Sequence, residues 1–411
     1  MKEKKKILIF SMAYHPFVGG AEVAIKEITD RISPRDIEFH MITLRYDSTL
    51  SPVERVGNVL IHRIGFTRHR PSISDLKRFP LHLNKAYYQC AAAVYALRLH
   101  KKYRYGAIWA IMAHSAGVPA AIFKTLKPHI PYGLTLQEGD SIGHIKKTML
   151  PVYPLFLRAF RKADCLQVIS TYLAKWGITM GFRGKPLVIP NGVDIQKFSK
   201  EYPRRELELL KQTLNKKTNT IFLITTSRLV KKNSIDTVIE ALVHLPQRVH
   251  FLILGSGSEE TALKRIAEER GVMNRVRFLG EVQQQDIPKY LKASDIFIRP
   301  SRSEGMGISF VEAMAAGVPV IATQEGGISD FLFDPENNSD VKPTGLAVHP
   351  EDSEGIAKQV FRYESDVVLR REITDNAKAL VEARYDWKTI APIMRKRFFD
   401  PLLTDSKKIN A

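Results

Sequence analysis

Ser301-Arg302-Ser303-Glu304-Gly305-Met306-Gly307-Ile308-Ser309-Phe310-Val311-Glu312-Ala313-Met314-Ala315-Ala316-Gly317 is the stretch whose reading decides the fold. It follows the apolar run Ile296-Phe297-Ile298, which ends at Arg299-Pro300, and a helical pattern opens from Ser309 onward. The segment therefore predicts a strand, a glycine loop and a helix. Gly305 and Gly307, with Met306 between them, let the backbone approach a ligand without Cβ interference. The first-turn N–H groups around Ile308, Ser309 and Phe310 lack intrahelical partners and would point at an anion. Glu304 in the loop and Glu312 in the helix place two carboxylates at different depths of one site. Taken alone, this pattern belongs to every doubly wound protein, and glutamates so spaced also occur as solvated helix-face charges.

The same grammar recurs along the chain. Lys6 to Met12 reads as a buried parallel strand, followed by Tyr14-His15-Pro16-Phe17-Val18-Gly19-Gly20-Ala21-Glu22 and a helix carrying Val23, Ile25, Ile28 and Ile32. Thr220 to Thr226 is a strand leading into Ser227-Arg228-Leu229-Val230-Lys231-Lys232-Asn233, and His250 to Leu254 leads into Gly255-Ser256-Gly257-Ser258. Further strands are expected at Glu38–Leu44, Val59–Ile64, Ala107–Met112, Tyr132–Leu136, Cys165–Ser170, Leu187–Ile189, Val276–Val282, Val318–Thr323 and Gly345–Val348. Leu76 to Tyr105 reads as a long basic helical region in which Pro80 marks a break or a helix start, Phe198 to Thr220 as a polar connection, and about Glu351 to Tyr385 as one helix. Strands alternating with helices give an α/β fold with parallel sheets.

At 411 residues the chain predicts two domains of roughly 200 residues each. Two cysteines, Cys90 and Cys165, provide neither a disulfide framework nor a zinc site and suit a reducing, cytoplasmic compartment. MKEKKKILIF reads as a charged lead into a strand, and the longest apolar candidate, Ala107 to Phe123, is broken by His114, Gly117 and Pro119. The net charge of +19 is one-sided: residues 1–190 carry 29 Lys and Arg against 12 Asp and Glu, and residues 191–411 carry 33 against 31. A basic first half implies an anionic partner, such as an acidic membrane face at which the protein would be peripheral, a pyrophosphate-linked acceptor, or nucleic acid. No aromatic-interleaved or helix-turn-helix motif accompanies the charge, which argues against nucleic acid. There is no Asp-x-Asp, His-x-x-x-His or Cys-x-x-Cys, so metal-assisted departure of a leaving group has no ligands in the pattern.

Ser301–Gly317 is similar to the signature of glycosyltransferase family 4, retaining enzymes that use nucleotide sugars and have the GT-B architecture of two Rossmann-like domains facing across a cleft. Gly19-Gly20-Ala21-Glu22 resembles the family's first glycine loop, beside the donor phosphates and the acceptor, and Pro190-Asn191-Gly192-Val193-Asp194 resembles its interdomain joint. The resemblance implies an acceptor domain over 1–190, a donor domain over 191–386, and a terminal helix over about 387–411 that crosses back to the first. It implies that Glu304 contacts the donor sugar and Glu312 the ribose, that main chain around Val282 meets the base, and that Gly305 to Ser309 lie at the donor. Arg228 and Lys232 would take the two phosphates, since a diphosphate leaving group needs two cations or a metal. His114 matches a position where the family often carries histidine. Gln137, in Gln137-Glu138-Gly139-Asp140, stands where the family has histidine and cannot shuttle a proton. The function implied is transfer of a hexose from a UDP- or GDP-sugar to a glycan or lipid-linked acceptor, with no other cofactor and no metal. A nucleotide-sugar epimerase, a glycosyl phosphorylase and a catalytically weakened sugar-nucleotide binder remain as alternatives.

Overall fold

The computed structural model describes residues 5–16, 19–72 and 75–404. The chain divides into two compact units, one of Met1–Asn191 with Trp387–Ala411 and one of Gly192–Asp386. Phe17 and Val18 of the first expected loop, the Met1–Lys4 lead and the tail beyond Thr404 lie outside the described residues.

The first unit is built on β1 (Lys5–Phe10), β2 (Ile37–Leu44), β3 (Val53–Val56), β4 (Val59–Ile64), β5 (Ala107–Ile111), β6 (Tyr132–Leu136), β7 (Cys165–Val168) and β8 (Leu187–Val188). They order as β3-β4-β2-β1-β5-β6-β7-β8, parallel except for β3 against β4. Ile7 to Phe10 are wholly buried, as a strand covered on both faces requires. The C-terminal segment joins this core through a helix at Trp387–Met394, a wider π-type turn at Arg395–Phe399 and a last turn at Asp400–Thr404. Phe399 stacks edge-on against Trp109 and Phe39, with centroids 4.9 and 5.4 Å apart. Phe398 fills the space over Gly133, where a Cβ would come within 2.5 Å of its ring.

The second unit is wholly parallel: β9 (Ile221–Thr226), β10 (Val249–Leu254), β11 (Val276–Gly280), β12 (Ile296–Arg299), β13 (Val320–Ala322) and β14 (Leu346–Ala347), ordered β11-β10-β9-β12-β13-β14. In each unit the strand order reverses at one place, beside β1 and β5 in the first and beside β9 and β12 in the second. Crevices at the carboxyl ends of such strand pairs are where open α/β sheets bind ligands.

Several expectations are corrected. The helix drawn from Glu351 to Tyr385 is two, Ser353–Ser365 and Val367–Arg384. Asp366 breaks it by leaving helical geometry and accepting the Leu369 N–H at 2.8 Å as an N-cap. The polar connection after Phe198 contains a helix at Arg204–Thr213, and Leu76–Tyr105 is helical only from Asn84, after two short 3₁₀ turns. The edge hairpin made by β3 escaped notice. Its turn is set by Gly57 at φ +55° and by Asn58, whose amide donates to the carbonyls of Thr29, Ile32 and Ile37. No helix among the described residues is long and apolar enough to cross a membrane.

Candidate functional site

In the second unit, β12 ends at Arg299, and this guanidinium organises the loop after it. Arg299 is 5 % exposed. Its Nη2 donates to Glu304 Oε2 at 2.9 Å, its Nη1 to Ser309 Oγ at 2.7 Å and its Nε to Ser301 Oγ at 3.2 Å. Its plane lies 4.2 Å from the centroid of the Phe310 ring. The turn that permits this is Gly307 at φ +85°, where a Cβ would meet the Phe310 ring at 2.5 Å and Arg299 Nη2 at 2.9 Å. Burial lowers the Arg299 pKa, and the neighbouring Glu304 and Glu312 carboxylates oppose the fall.

Glu304 is held at both ends. Its Oε1 accepts the Gly305 N–H at 3.1 Å, and its carbonyl accepts the Gly327 N–H at 3.0 Å. Gly326, at φ +62°, approaches that carbonyl so closely that a Cβ would stand 2.1 Å from it. The expected turn at Glu325-Gly326-Gly327 thus packs directly on Glu304. Glu312 lies in the Ile308–Ala315 helix, where desolvation pushes its carboxyl up to about 7 against the pull of Lys197 and Arg299. Met306 is buried beneath the loop, while Ile308 and Ser309 keep partial exposure at the start of the helix.

The β9 loop lies alongside. Arg228 is exposed, yet close enough to Arg299 for the two charges to repel. Asn233 Nδ2 fixes the Arg228 carbonyl at 2.7 Å. Gly255 and Gly257 lie against the same loop, where Cβ atoms would come within 2.0 and 2.3 Å of the carbonyl oxygens of Ser227 and Leu229. The hydroxyls of Thr225, Thr226 and Ser227 are buried without a hydrogen-bond partner. Lys231 is drawn away to Asp236 at 2.8 Å, and Arg302 pairs with the same carboxylate. Lys232 is half-buried, and its carbonyl accepts the Arg302 N–H at 2.8 Å. Val282 follows the end of β11, two residues after Gly280, whose carbonyl accepts the Gly255 N–H at 2.7 Å.

The first unit holds a second group. Gly19 donates its N–H to Glu22 at 2.8 Å, so a carboxylate already caps the helix that starts at Gly20. After β5, His114 sits in a wide turn at Ala113–Gly117 and approaches Glu138 through Nδ1 at 3.4 Å. Glu138 is 2 % exposed and accepts the main-chain N–H groups of Ala113 at 2.5 Å and Gln137 at 2.9 Å. Gln137 exchanges two amide hydrogen bonds with Asn191, at 3.3 and 3.2 Å.

The expected residues therefore fall into two groups. Arg228, Lys232, Val282, Gly305 to Ser309, Glu304 and Glu312 gather at the β9, β11 and β12 ends, and Gly19, Gly20 and His114 at the β1 and β5 ends. Sequence reasoning passed over Arg299, Lys197 and Glu138. Arg299 left a signal, a charge closing the otherwise apolar Ile296-Phe297-Ile298 strand. Among the described residues, no group of three or more His, Cys, Asp or Glu side chains is placed to hold a metal ion.

The model described as glycosyl transferases group 1 matches residues 207–380, and that described as Glycosyltransferase Family 4 matches residues 18–197. The GDP-mannose-dependent monoacylated alpha-(1-6)-phosphatidylinositol monomannoside mannosyltransferase of Corynebacterium glutamicum is 32 % identical over 410 residues, covering 94 % of this chain and 96 % of that protein. The crystal structure of Anabaena HepE with UDP and glucose superposes with a TM-score of 0.76 at 24 % identity, covering 96 % of this chain and all of that one. Sucrose-phosphate synthase from Thermosynechococcus elongatus gives 0.76 at 20 % identity over 98 % of this chain. With two Rossmann-like units, a family match across each and a relative aligned over nearly its whole length, this chain belongs to glycosyltransferase family 4, as a nucleotide-sugar-dependent transferase of the GT-B fold.

Proposed function

We propose that this transferase moves a hexose, with retained configuration and without a metal ion, from a nucleoside diphosphate sugar bound by residues 192–386 to a lipid-linked or glycan acceptor bound by the first unit. The relatives make GDP-mannose and UDP-glucose the first donors to test, and the phosphatidylinositol mannoside substrate of the Corynebacterium enzyme supports a lipid-linked acceptor. The observation that carries the reading is the exposed Arg228 guanidinium beside the buried Arg299–Glu304 pair, at the carboxyl ends of the β9 and β12 strands.

Arg228 and Lys232 accept the charge of the departing diphosphate, the work a metal does elsewhere. The C1–oxygen bond to the diphosphate breaks as the acceptor hydroxyl bonds to C1 on the same face, and the hydroxyl proton passes to the departing phosphate. Glu304 positions the sugar instead of attacking it. Each of its oxygens already holds a protein donor, and the lone pairs left over suit sugar hydroxyls. Glu312 takes the ribose hydroxyls, Val282 and the main chain beside it meet the base, and the amides from Met306 to Ser309 serve the phosphates, the N–H groups of Gly305 and Gly19 being held already by Glu304 and Glu22. His114 lies on the acceptor side.

Turnover of a nucleotide-sugar panel with lipid acceptors tests this directly. Arg228→Ala and Lys232→Ala should each lower kcat by about 10²- to 10³-fold with unchanged melting temperature, and a chelator should have no effect. Unchanged rates in either variant, or activity abolished by the chelator, would refute the mechanism.

The basic excess of the first unit supports peripheral binding to an anionic membrane face. The segment from Phe66 to Tyr87 exposes Phe66, Phe79, Leu83 and Tyr87 among Arg68, Arg70, Lys77, Arg78 and Lys85. Flotation should occur with anionic vesicles and fail with neutral ones, and equal flotation with both would overturn the electrostatic part of the reading.

A further inference from the structure

We propose that Arg299 is a positioning residue of the donor site, fixing the direction of the Glu304 carboxylate and, through Ser309, the start of the helix that carries Glu312. This role rests on the donor-site reading above, since it acts through the two glutamates assigned there to the sugar and the ribose.

Arg299 is costly to bury and is nevertheless fully used. Its three donor nitrogens reach Glu304, Ser309 and Ser301, and its face rests on Phe310. A lysine would supply the charge but not this planar fork. The glycine at 307 is shaped to it, since a Cβ there would strike both Phe310 and Arg299. Glu304 has one oxygen on Arg299 and the other on the N–H of Gly305. Without Arg299 its carboxylate keeps only the short-range main-chain contact and is free to rotate. Aimed by Arg299, the carboxylate turns its remaining lone pairs toward the site and favours a sugar whose hydroxyls donate to them. The guanidinium also pulls the Glu312 pKa down against the desolvation that raises it. Removing the cation therefore moves that titration further up.

Charge and geometry separate in two variants, Arg299→Lys and Arg299→Met, assayed with the donor the wild type uses. Both should lose about 100-fold in kcat, the scale on which misplacing a substrate-positioning group costs rate. The acidic limb of kcat/KM for the donor should move to higher pH in Arg299→Met and stay near the wild-type position in Arg299→Lys. A role confined to folding would lower melting temperature without this split. Should either variant fail to fold, Ser309→Ala decides. It leaves the guanidinium in place, removes the acceptor of Nη1, and should lower kcat several-fold while UDP or GDP affinity is kept. Wild-type kcat and an unmoved limb in folded Arg299→Met, or wild-type kcat in Ser309→Ala, would overturn the positioning role while leaving the donor-site reading intact. A wild-type protein that turns over no nucleotide sugar would instead sink that reading, and this role with it.

Discussion

Replacing Glu312 with Gln should make the protein more stable at neutral and alkaline pH while weakening its hold on the donor. Glu312 is an acid whose native pKa is raised, from 4.5 to about 7. The native state therefore binds its proton more tightly than the unfolded chain does. Stability is unaffected by this group below the unfolded value, is lost progressively as pH rises from there toward the native value, and stays lost above it. At 1.36 kcal/mol per pK unit, the displacement corresponds to a penalty of about 3 kcal/mol at about pH 8. Glutamine resembles the protonated acid in shape and charge, so the variant escapes that penalty. Near pH 4, below the unfolded value, both proteins hold a neutral group at 312 in the native state and should shift little relative to each other. At about pH 8 the variant should melt roughly 5 to 10 °C higher, given a unit of this size. Thermal melts across pH, with titration calorimetry of UDP and GDP, would measure both effects. Equal melting temperatures at about pH 8, or a variant less stable there, would show that ionised Glu312 is not strained by its surroundings and would refute the reasoning. A gain in stability together with unchanged nucleotide affinity would remove Glu312 from the donor site.

Two further outcomes follow from close packing. Gly255→Ala puts a methyl 2.0 Å from the Ser227 carbonyl at a φ of +135°, so it should cost at least about 2 kcal/mol in urea unfolding of the second unit. Gly271→Ala, at φ +66° with open space around it, should cost only about 1 kcal/mol. Equal losses would show that the loop of Ser227 to Leu229 yields easily. Phe399→Ala removes a fully buried ring from between Trp109 and Phe39 and should destabilise the first unit by about 3 to 5 kcal/mol, measured by denaturant midpoints. A loss below about 1 kcal/mol would mean that the C-terminal segment adds little to that core.

The strands were legible because parallel strands covered on both faces are apolar throughout. Ile7 to Phe10, Phe251 to Leu254 and Ile296 to Ile298 needed no other cue. Glycines after them announced the loops, and Ser301–Gly317 carried the family resemblance. Illegible features were those in which one polar side chain does the structural work. The break at Asp366 depends on a single cap, and β3 is an edge strand with Val53 half in water, so neither carries a hydrophobic period. Within the candidate site, the residues anticipated were those a motif marks, and those passed over were Arg299, Lys197 and Glu138, whose contacts lie with partners elsewhere in the chain. Lys197 acts on Glu312 across more than a hundred residues of sequence, and no local pattern encodes that pairing.

Gln137 is the sharpest departure from the family resemblance, and its partners give it a structural use. Its amide is committed at both ends to Asn191, and the carboxylate beside it, Glu138, spends one oxygen on the Ala113 N–H and the other on the Gln137 N–H. Both therefore serve as scaffold, tying the end of β6 to the turn that carries His114 and to Asn191, three residues after β8. In the proposed reaction that proton leaves with the phosphate, which is a competent base once the sugar–oxygen bond has stretched. On that proposal its basicity is set by the cations proposed to hold it, Arg228 and Lys232. The two units accordingly carry different burdens: main-chain donors fix the carboxylate of the first, and a side-chain cation, Arg299, aims that of the second.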